Sequence, residues 1–218
     1  MRVIAIDGPA GSGKSTVARA LAAHLGLKYL DTGAMYRAVA FAVLRSGGDP
    51  EDEESTAGTA RRLDLEVGLD AVIVDGVDAT VEIRGPEVNR AVSVVAANAE
   101  VRKEMVSRQR EWAHRHGGGV LEGRDIGTVV FPDAELKVYL TADPAERARR
   151  RAKEVTDLDY ETVAADIARR DAVDSSRAVD PLVEAADAVV VDTTGLDIDQ
   201  VVLRITELLD DDSAPEAG

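Results

Sequence analysis

The apolar run Val3-Ile4-Ala5-Ile6 passes through Asp7 into Gly8-Pro9-Ala10-Gly11-Ser12-Gly13-Lys14-Ser15, and then into a helical pattern that lasts to Leu25 and stops at Gly26. No other stretch restricts the fold as tightly. The spacing satisfies G-x-x-x-x-G-K-[ST]: glycines let backbone N–H groups wrap a phosphate, the following helix points its positive end there, and the lysine adds a full charge. A strand must therefore deliver the chain to a helix N-terminus across a short loop, the first half of a βαβ crossover. Gly8, Pro9, Ala10, Gly11, Ser12, Gly13, Lys14, Ser15 and Thr16 are the candidate nucleotide-contacting residues, and the hydroxyl of Ser15 suits a magnesium ion.

Further apolar runs at Val120-Leu121, Leu136–Leu140 and Ala188–Val191, with a weaker one at Lys28-Tyr29-Leu30, lead into turns or helical patterns. Short continuous apolar runs mark strands buried on both faces, so the chain reads as an α/β domain wound around a parallel sheet. Helices are expected over Lys14–Leu25, Ala34–Leu44, Val101–His116, Pro144–Glu154, Tyr160–Val173 and Ile198–Leu209, the first three closed by glycines. One segment breaks the alternation. Within Leu65–Ile83, Ala71–Val74 and Ala79–Ile83 flank Asp75-Gly76 as arms of an antiparallel hairpin, which reads as an insert.

A chain of 218 residues fits one such domain with an insertion. The domain is expected over residues 1–210, with 211–218 as a disordered acidic tail. The net charge of −15 opposes nucleic-acid backbones and anionic membranes, so any anion site must be local. The absence of cysteine removes disulfides, thiolate zinc sites and a cysteine nucleophile, and agrees with a cytoplasmic setting. No run approaches the ~18 apolar residues of a membrane helix. A monomer acting on small molecules is expected, and His24, His114 and His116 fall outside every motif.

Two more stretches lie just beyond strand ends. In Leu30-Asp31-Thr32-Gly33-Ala34-Met35-Tyr36-Arg37 a second anion can bind, with Thr32 as a candidate contact, although Asp31 and Thr32 also read as helix caps. Leu121-Glu122-Gly123-Arg124-Asp125-Ile126-Gly127-Thr128-Val129-Val130-Phe131-Pro132 continues from a central strand, and ligands of open parallel sheets bind beyond such carboxyl ends.

The three motifs, occurring in this order, closely resemble I-D-G-P-x-G-x-G-K-[ST], L-D-[ST]-G-A-x-Y-R and G-R-D-x-G-T-V-V-F-P of the bacterial cytidylate kinases, nucleoside monophosphate kinases among the P-loop proteins. The similarity continues through Glu82-Ile83-Arg84, Ser93, Arg177-Ala178-Val179 and the strand near Ala188. It implies a P-loop NTPase fold with a five-stranded parallel sheet flanked by helices. It also implies an acceptor-binding region over about 32–105 holding the hairpin insert at about 65–85, and a helical lid over about 144–175. The implied reaction moves the γ-phosphoryl group of ATP, with Mg²⁺, directly to CMP or dCMP without a covalent intermediate.

The resemblance places Ser93, Arg102 and Asp125 at the base, Arg170 and Asp174 near the sugar, and Tyr36, Arg37, Arg124 and Arg177 at the acceptor phosphate. It makes Lys14, Arg124, Arg147, Arg151 and Arg177 the catalytic cations, and it puts Glu122 where it can hold the metal through water. Without the resemblance, Arg102 is one charge on a long helix. Arg147 and Arg151 then form a solvated basic face, beside a Glu146–Arg150 pair. A different small-molecule kinase and a nucleotide-dependent switch are the rival readings, and the many arginines beyond the loop argue against the switch.

Overall fold

The computed structural model describes residues 1–154 and 159–211, and the alternation read from the sequence runs through them. The elements are β1 (Arg2–Asp7), α1 (Lys14–Leu25), β2 (Tyr29–Asp31), α2 (Thr32–Arg45), α3 (Glu53–Arg62), β3 (Leu65–Val67), β4 (Val72–Val74), β5 (Val77–Asp78), α4 (Pro86–Ala97), α5 (Ala99–His116), β6 (Gly118–Gly123), β7 (Leu136–Thr141), α6 (Pro144–Glu154), α7 (Tyr160–Ser176), β8 (Val189–Asp192) and α8 (Ile198–Asp211). A 3₁₀ turn at Glu82–Arg84 and a π-turn at Ile126–Val130 complete the path. The acidic tail expected from residue 211 falls outside the described residues, except for Asp211, which closes α8.

Five strands form one parallel sheet in the order β2-β6-β1-β7-β8. Alternation along β1 explains why the run Val3–Ile6 is apolar throughout. Val3 and Ala5 enter a cluster with residues of α2, α4 and α5, while Ile4 and Ile6 enter another with residues of α1 and α8. Both faces of the sheet are thus covered, and the loops beyond its carboxyl ends are left to carry chemistry. Among the described residues no helix is long and apolar enough to cross a membrane.

The insert is a separate three-stranded antiparallel sheet in the order β3-β4-β5. Asp75 (φ 49°) and Gly76 (φ 75°) make its tight turn, the left-handed pair that joins twisted strands in two residues. The second arm differs from the sequence expectation. It occupies Val77–Asp78 rather than Ala79–Ile83, because the Thr80 side chain bonds Asp78 and the backbone N–H of Val72, and the chain then coils into the 3₁₀ turn. Helices α3 and α4 lie outside the sequence expectation.

Candidate active site

β1 ends at Asp7, and the phosphate-loop motif comes directly after it. Gly8, at φ 147°, lies so close to β7 that an added Cβ would stand 2.0 Å from the Leu140 carbonyl oxygen, so the loop can turn there only without a side chain. Lys14, the first residue of α1, is buried and folds back to donate from Nζ to the Pro9 carbonyl at 2.7 Å. Burial, and then the charge of Arg124, holds its ammonium down at about 7. A phosphate in the loop would supply a counter-charge.

The Ser15 hydroxyl donates to Glu122 Oε2 at 2.9 Å, and the Tyr29 hydroxyl donates to the other carboxylate oxygen. Thr32 is buried inside the first turn of α2 and donates to the Glu122 backbone carbonyl, whereas Asp31 is the cap, accepting from the Ala34 N–H at 2.8 Å. Burial, with the Asp31 charge adding, pushes the Glu122 carboxyl up to about 7. A hydroxyl and a carboxylate meeting at the loop are hard oxygen donors, and a divalent cation beside them would favour the ionised carboxylate. The residues present fit such a metal.

At Gly123 the chain enters a cleft lined by Thr32, Gly33, Tyr36, Arg37, Val92, Ser93, Ala96, Arg102, Gly123, Arg124, Asp125, Arg170, Asp174 and Arg177. Every acceptor-side residue named from the sequence is therefore brought to one place, from α2, α4, α5, the loop after β6, the C-terminal part of α7 and the residue that caps it. Arg102 is almost fully buried. Its Nη2 donates to Asp125, its Nε donates to Asp180 at 2.7 Å, and its guanidinium lies 5.4 Å over the Tyr36 ring. Arg124 donates to Asp174 at 2.8 Å, and Arg37 donates to the Ile83 carbonyl at 3.0 Å and to Asn89 at 2.6 Å.

These cations are not equally compensated. Arg37 is pushed down to about 9 by burial and then by the charges of Arg170 and Arg151, and Arg170 to about 10 by burial and then by Arg124. Arg170 Nε is buried without a hydrogen-bond partner. Crowded, desolvated guanidiniums whose charge is disfavoured are relieved by an anion, and their planar forks suit phosphate oxygens.

α6 and α7 close over the phosphate loop. Arg147 donates from Nη1 to the Ala10 carbonyl at 3.0 Å and to Asp171, and Asp171 accepts from the Ala10 N–H at 2.9 Å. Arg151 lies near enough to Arg37 and Arg170 to repel both. Arg150 has the structural role that spacing suggests, pairing with Glu146 at 3.1 Å, and it also donates twice to Thr193 at 2.8 Å.

Asp7, Asp171 and Asp180 escape a reading of the sequence because their partners are distant in the chain. Only Asp7 carries a signal, as a carboxylate ending an apolar strand immediately before the loop. It is buried and accepts from the N–H groups of Ile126 at 2.9 Å and Gly127 at 2.7 Å, tying β1 to the π-turn beyond Asp125. Burial outweighs those bonds and raises its carboxyl from 3.8 to about 6. The folded protein therefore holds this proton more tightly than the unfolded chain, and that contribution to stability is complete below about pH 4 and lost as pH rises through about 6. Relative to Asp7→Asn, the wild-type protein is expected to lose on the order of 2–3 kcal/mol across that window. Urea denaturation at several pH values measures it, and parallel profiles for the two proteins would mean that Asp7 titrates normally.

Residues 4–211 match the profile of the family described as cytidylate kinase. The chain is 51% identical to a cytidylate kinase of Desulfitobacterium hafniense (strain Y51), over 95% of this chain and 92% of that one. It is 49% identical to a cytidylate kinase of Mycolicibacterium paratuberculosis (strain ATCC BAA-968 / K-10), over 95% and 94%. Two solved structures share the fold at low identity. One is an uncharacterized protein from Eubacterium ventriosum ATCC 27560, with TM-score 0.56, 13% identity and coverage of 96% of this chain and 99% of that one. The other is TT1252 from Thermus thermophilus, with TM-score 0.52, 21% identity and 98% of both chains. With the whole domain matched, the second and third motifs lining one cleft and the phosphate loop joined to them through the Ser15–Glu122 bond, the chain belongs to the cytidylate kinase family.

Proposed function

We propose that the protein transfers the γ-phosphoryl group of ATP to CMP or dCMP, releasing ADP and CDP or dCDP. The observation that carries this reading is the pairing of Arg102 with Asp125 inside an arginine-rich cleft that begins where Glu122 meets the phosphate loop. Cytosine presents acceptors at N3 and O2 beside an exocyclic amine, whereas uracil presents an N–H and a carbonyl at the corresponding edge. Arg102 donates to the acceptor edge, and Asp125 or Ser93 accepts from the amine. Uracil would leave these buried groups unpaired, which is a strong basis for rejection.

Arg170 and Asp174 hold the sugar, and Tyr36, Arg37, Arg124 and Arg177 hold the acceptor phosphate. An oxygen of that phosphate forms the new bond to the γ-phosphorus while the bond to the β,γ-bridging oxygen breaks. The attacking oxygen is already ionised, so no general base is needed. Lys14, Arg147 and Arg151 neutralise charge on the transferring group, whose loose transition state depends mainly on positioning and cations. Ser15 and, through water, Glu122 would hold a magnesium ion bound with ATP, which would supply further neutralisation of phosphate charge.

Residues 32–105, including the small antiparallel sheet, form the acceptor-binding region in this reading, and α6 with α7 forms the lid. Closing the lid excludes water, which would otherwise divert ATP to hydrolysis. The test is ADP formation from Mg-ATP with CMP, dCMP, UMP, AMP or no acceptor, with the diphosphate product identified by chromatography. CMP and dCMP are expected to stimulate strongly and AMP little. Equal ADP formation without an acceptor would overturn the reading.

A further inference from the structure

Arg102 and Arg177 reach the cleft from different elements, α5 and the residue that caps α7, yet both are secured by one residue that has no part in the phosphoryl transfer itself. Asp180 accepts from Arg102 Nε through Oδ2 at 2.7 Å, and its backbone carbonyl accepts from Arg177 Nε at 2.5 Å. On the other side, Asp125 accepts from Arg102 Nη2 and stands 3.6 Å from Arg177 Nη2. Two arginines and two aspartates thus alternate around a closed square. Asp180 holds its corner at φ 48°, a conformation that aspartate and asparagine tolerate better than other residues with a side chain.

Asp180 does not line the acceptor cleft. It lines a separate groove of about 520 Å³ with Lys103, Val106 and Arg110, and Arg102 forms the wall between the two spaces. A carboxylate behind a buried guanidinium decides which of its N–H groups remain for others. While Nε is taken by Asp180, Asp125 can engage only the Nη side of Arg102. If Nε were released, the guanidinium could turn to present its two-pronged edge to Asp125, the preferred geometry for such a pair. Asp125 would then be withdrawn from a ligand, and the donors of Arg102 would be turned away from it.

We propose that Asp180 is a positioning residue for base selection, holding the plane of Arg102 so that Arg102 and Asp125 face the base as a donor–acceptor pair. This rests on the assignment of Arg102 and Asp125 to the base. Loss of the Asp180 carboxylate relaxes discrimination between cytosine and uracil, while the phosphate loop and the chemistry it serves are untouched.

Asp180→Gly removes the carboxylate, suits the left-handed backbone and keeps the carbonyl for Arg177. Asp180→Asn keeps the shape, the backbone preference and an acceptor oxygen for Nε. Steady-state kinetics of both variants and the wild type with CMP, UMP and ATP tests the inference. In Asp180→Gly the KM for CMP is expected to rise about tenfold, and the CMP-over-UMP ratio of kcat/KM to fall about tenfold. The kcat with CMP should stay within about threefold and the KM for ATP within about twofold. Asp180→Asn should recover most of the lost ratio, which a general packing defect would not allow. A ratio unchanged in Asp180→Gly while the wild type prefers CMP overturns the role of Asp180 alone, as does an equal loss of ATP and CMP affinity. A wild type with no preference for CMP over UMP overturns the base assignment and this inference with it.

Discussion

Lys14→Ala is expected to lower kcat by about 10³-fold or more, the scale on which single cations act in phosphoryl transfer. The reason lies in the surroundings of the ammonium. Lys14 is buried, makes its closest bond to the Pro9 carbonyl, and is depressed to about 7 by burial and the charge of Arg124. The empty fold therefore disfavours this charge, so alanine relieves a cost in the resting protein, while with phosphate bound it removes a charge from the transition state. The thermal midpoint of the variant should be no lower than that of the wild type, measured beside the turnover assay. Substantial turnover in a folded Lys14→Ala protein would remove the loop from the chemistry. A collapsed midpoint would instead give Lys14 a structural role.

Arg102→Met should be the most selective lesion among the acceptor-side arginines. The guanidinium lies between Asp125 and Asp180, and methionine fills much of its volume with nothing to donate. Removing one partner of a buried ion pair costs about 3–5 kcal/mol. Arg177, 3.6 Å from Asp125, offsets part of that. A stability loss of about 3 kcal/mol is expected by denaturant titration. Calorimetric titration should show CMP affinity falling about 100-fold, the worth of one or two charge-assisted hydrogen bonds, with ATP affinity within about threefold. Equal losses for the two nucleotides would reject a base-reading role.

The phosphate loop is legible in the sequence because it is local. Its glycines, lysine and serine act within one turn of chain, and the flanking strand and helix have distinct periodicities. The central strands are legible because burial on both faces makes them apolar throughout. Helix α3 is not, since its buried side is made of Thr56, Ala57, Gly58 and Ala60, which form no large apolar stripe. Helix α4 hides behind Gly85-Pro86, a pair that reads as a break although proline is well suited to the first turn. In the insert, the alternation over Ala79–Ile83 suggests a strand, but Val81 is 78% exposed and the ladder ends at Asp78.

The site divides in the same way. Gly8–Thr16 needs only spacing, whereas Arg102 is an ordinary helix charge until tertiary structure buries it, and only the family resemblance singles it out. Asp171 and Asp180 have no signature at all. A carboxylate's partner across 161 or 78 residues is decided by how α7 and the loop after it settle on the sheet.

The hydrophobic contact that seats α6 and α7 is small. Among the described residues its buried members are Ala10, Ala148, Val163 and Ile167, with Ala152 and Ala164 partly buried against them; it is set apart from the two clusters that sandwich the sheet, and Ala10 belongs to the phosphate loop itself. Burial of two branched side chains and two alanines contributes only a few kcal/mol, far less than the sheet core. The rest of what holds the pair is polar: Arg147 and Asp171 bond the backbone of Ala10, and Arg150 bonds Thr193. Because Ala10 is lent by the loop, ordering of the loop and seating of the helices draw on the same contact.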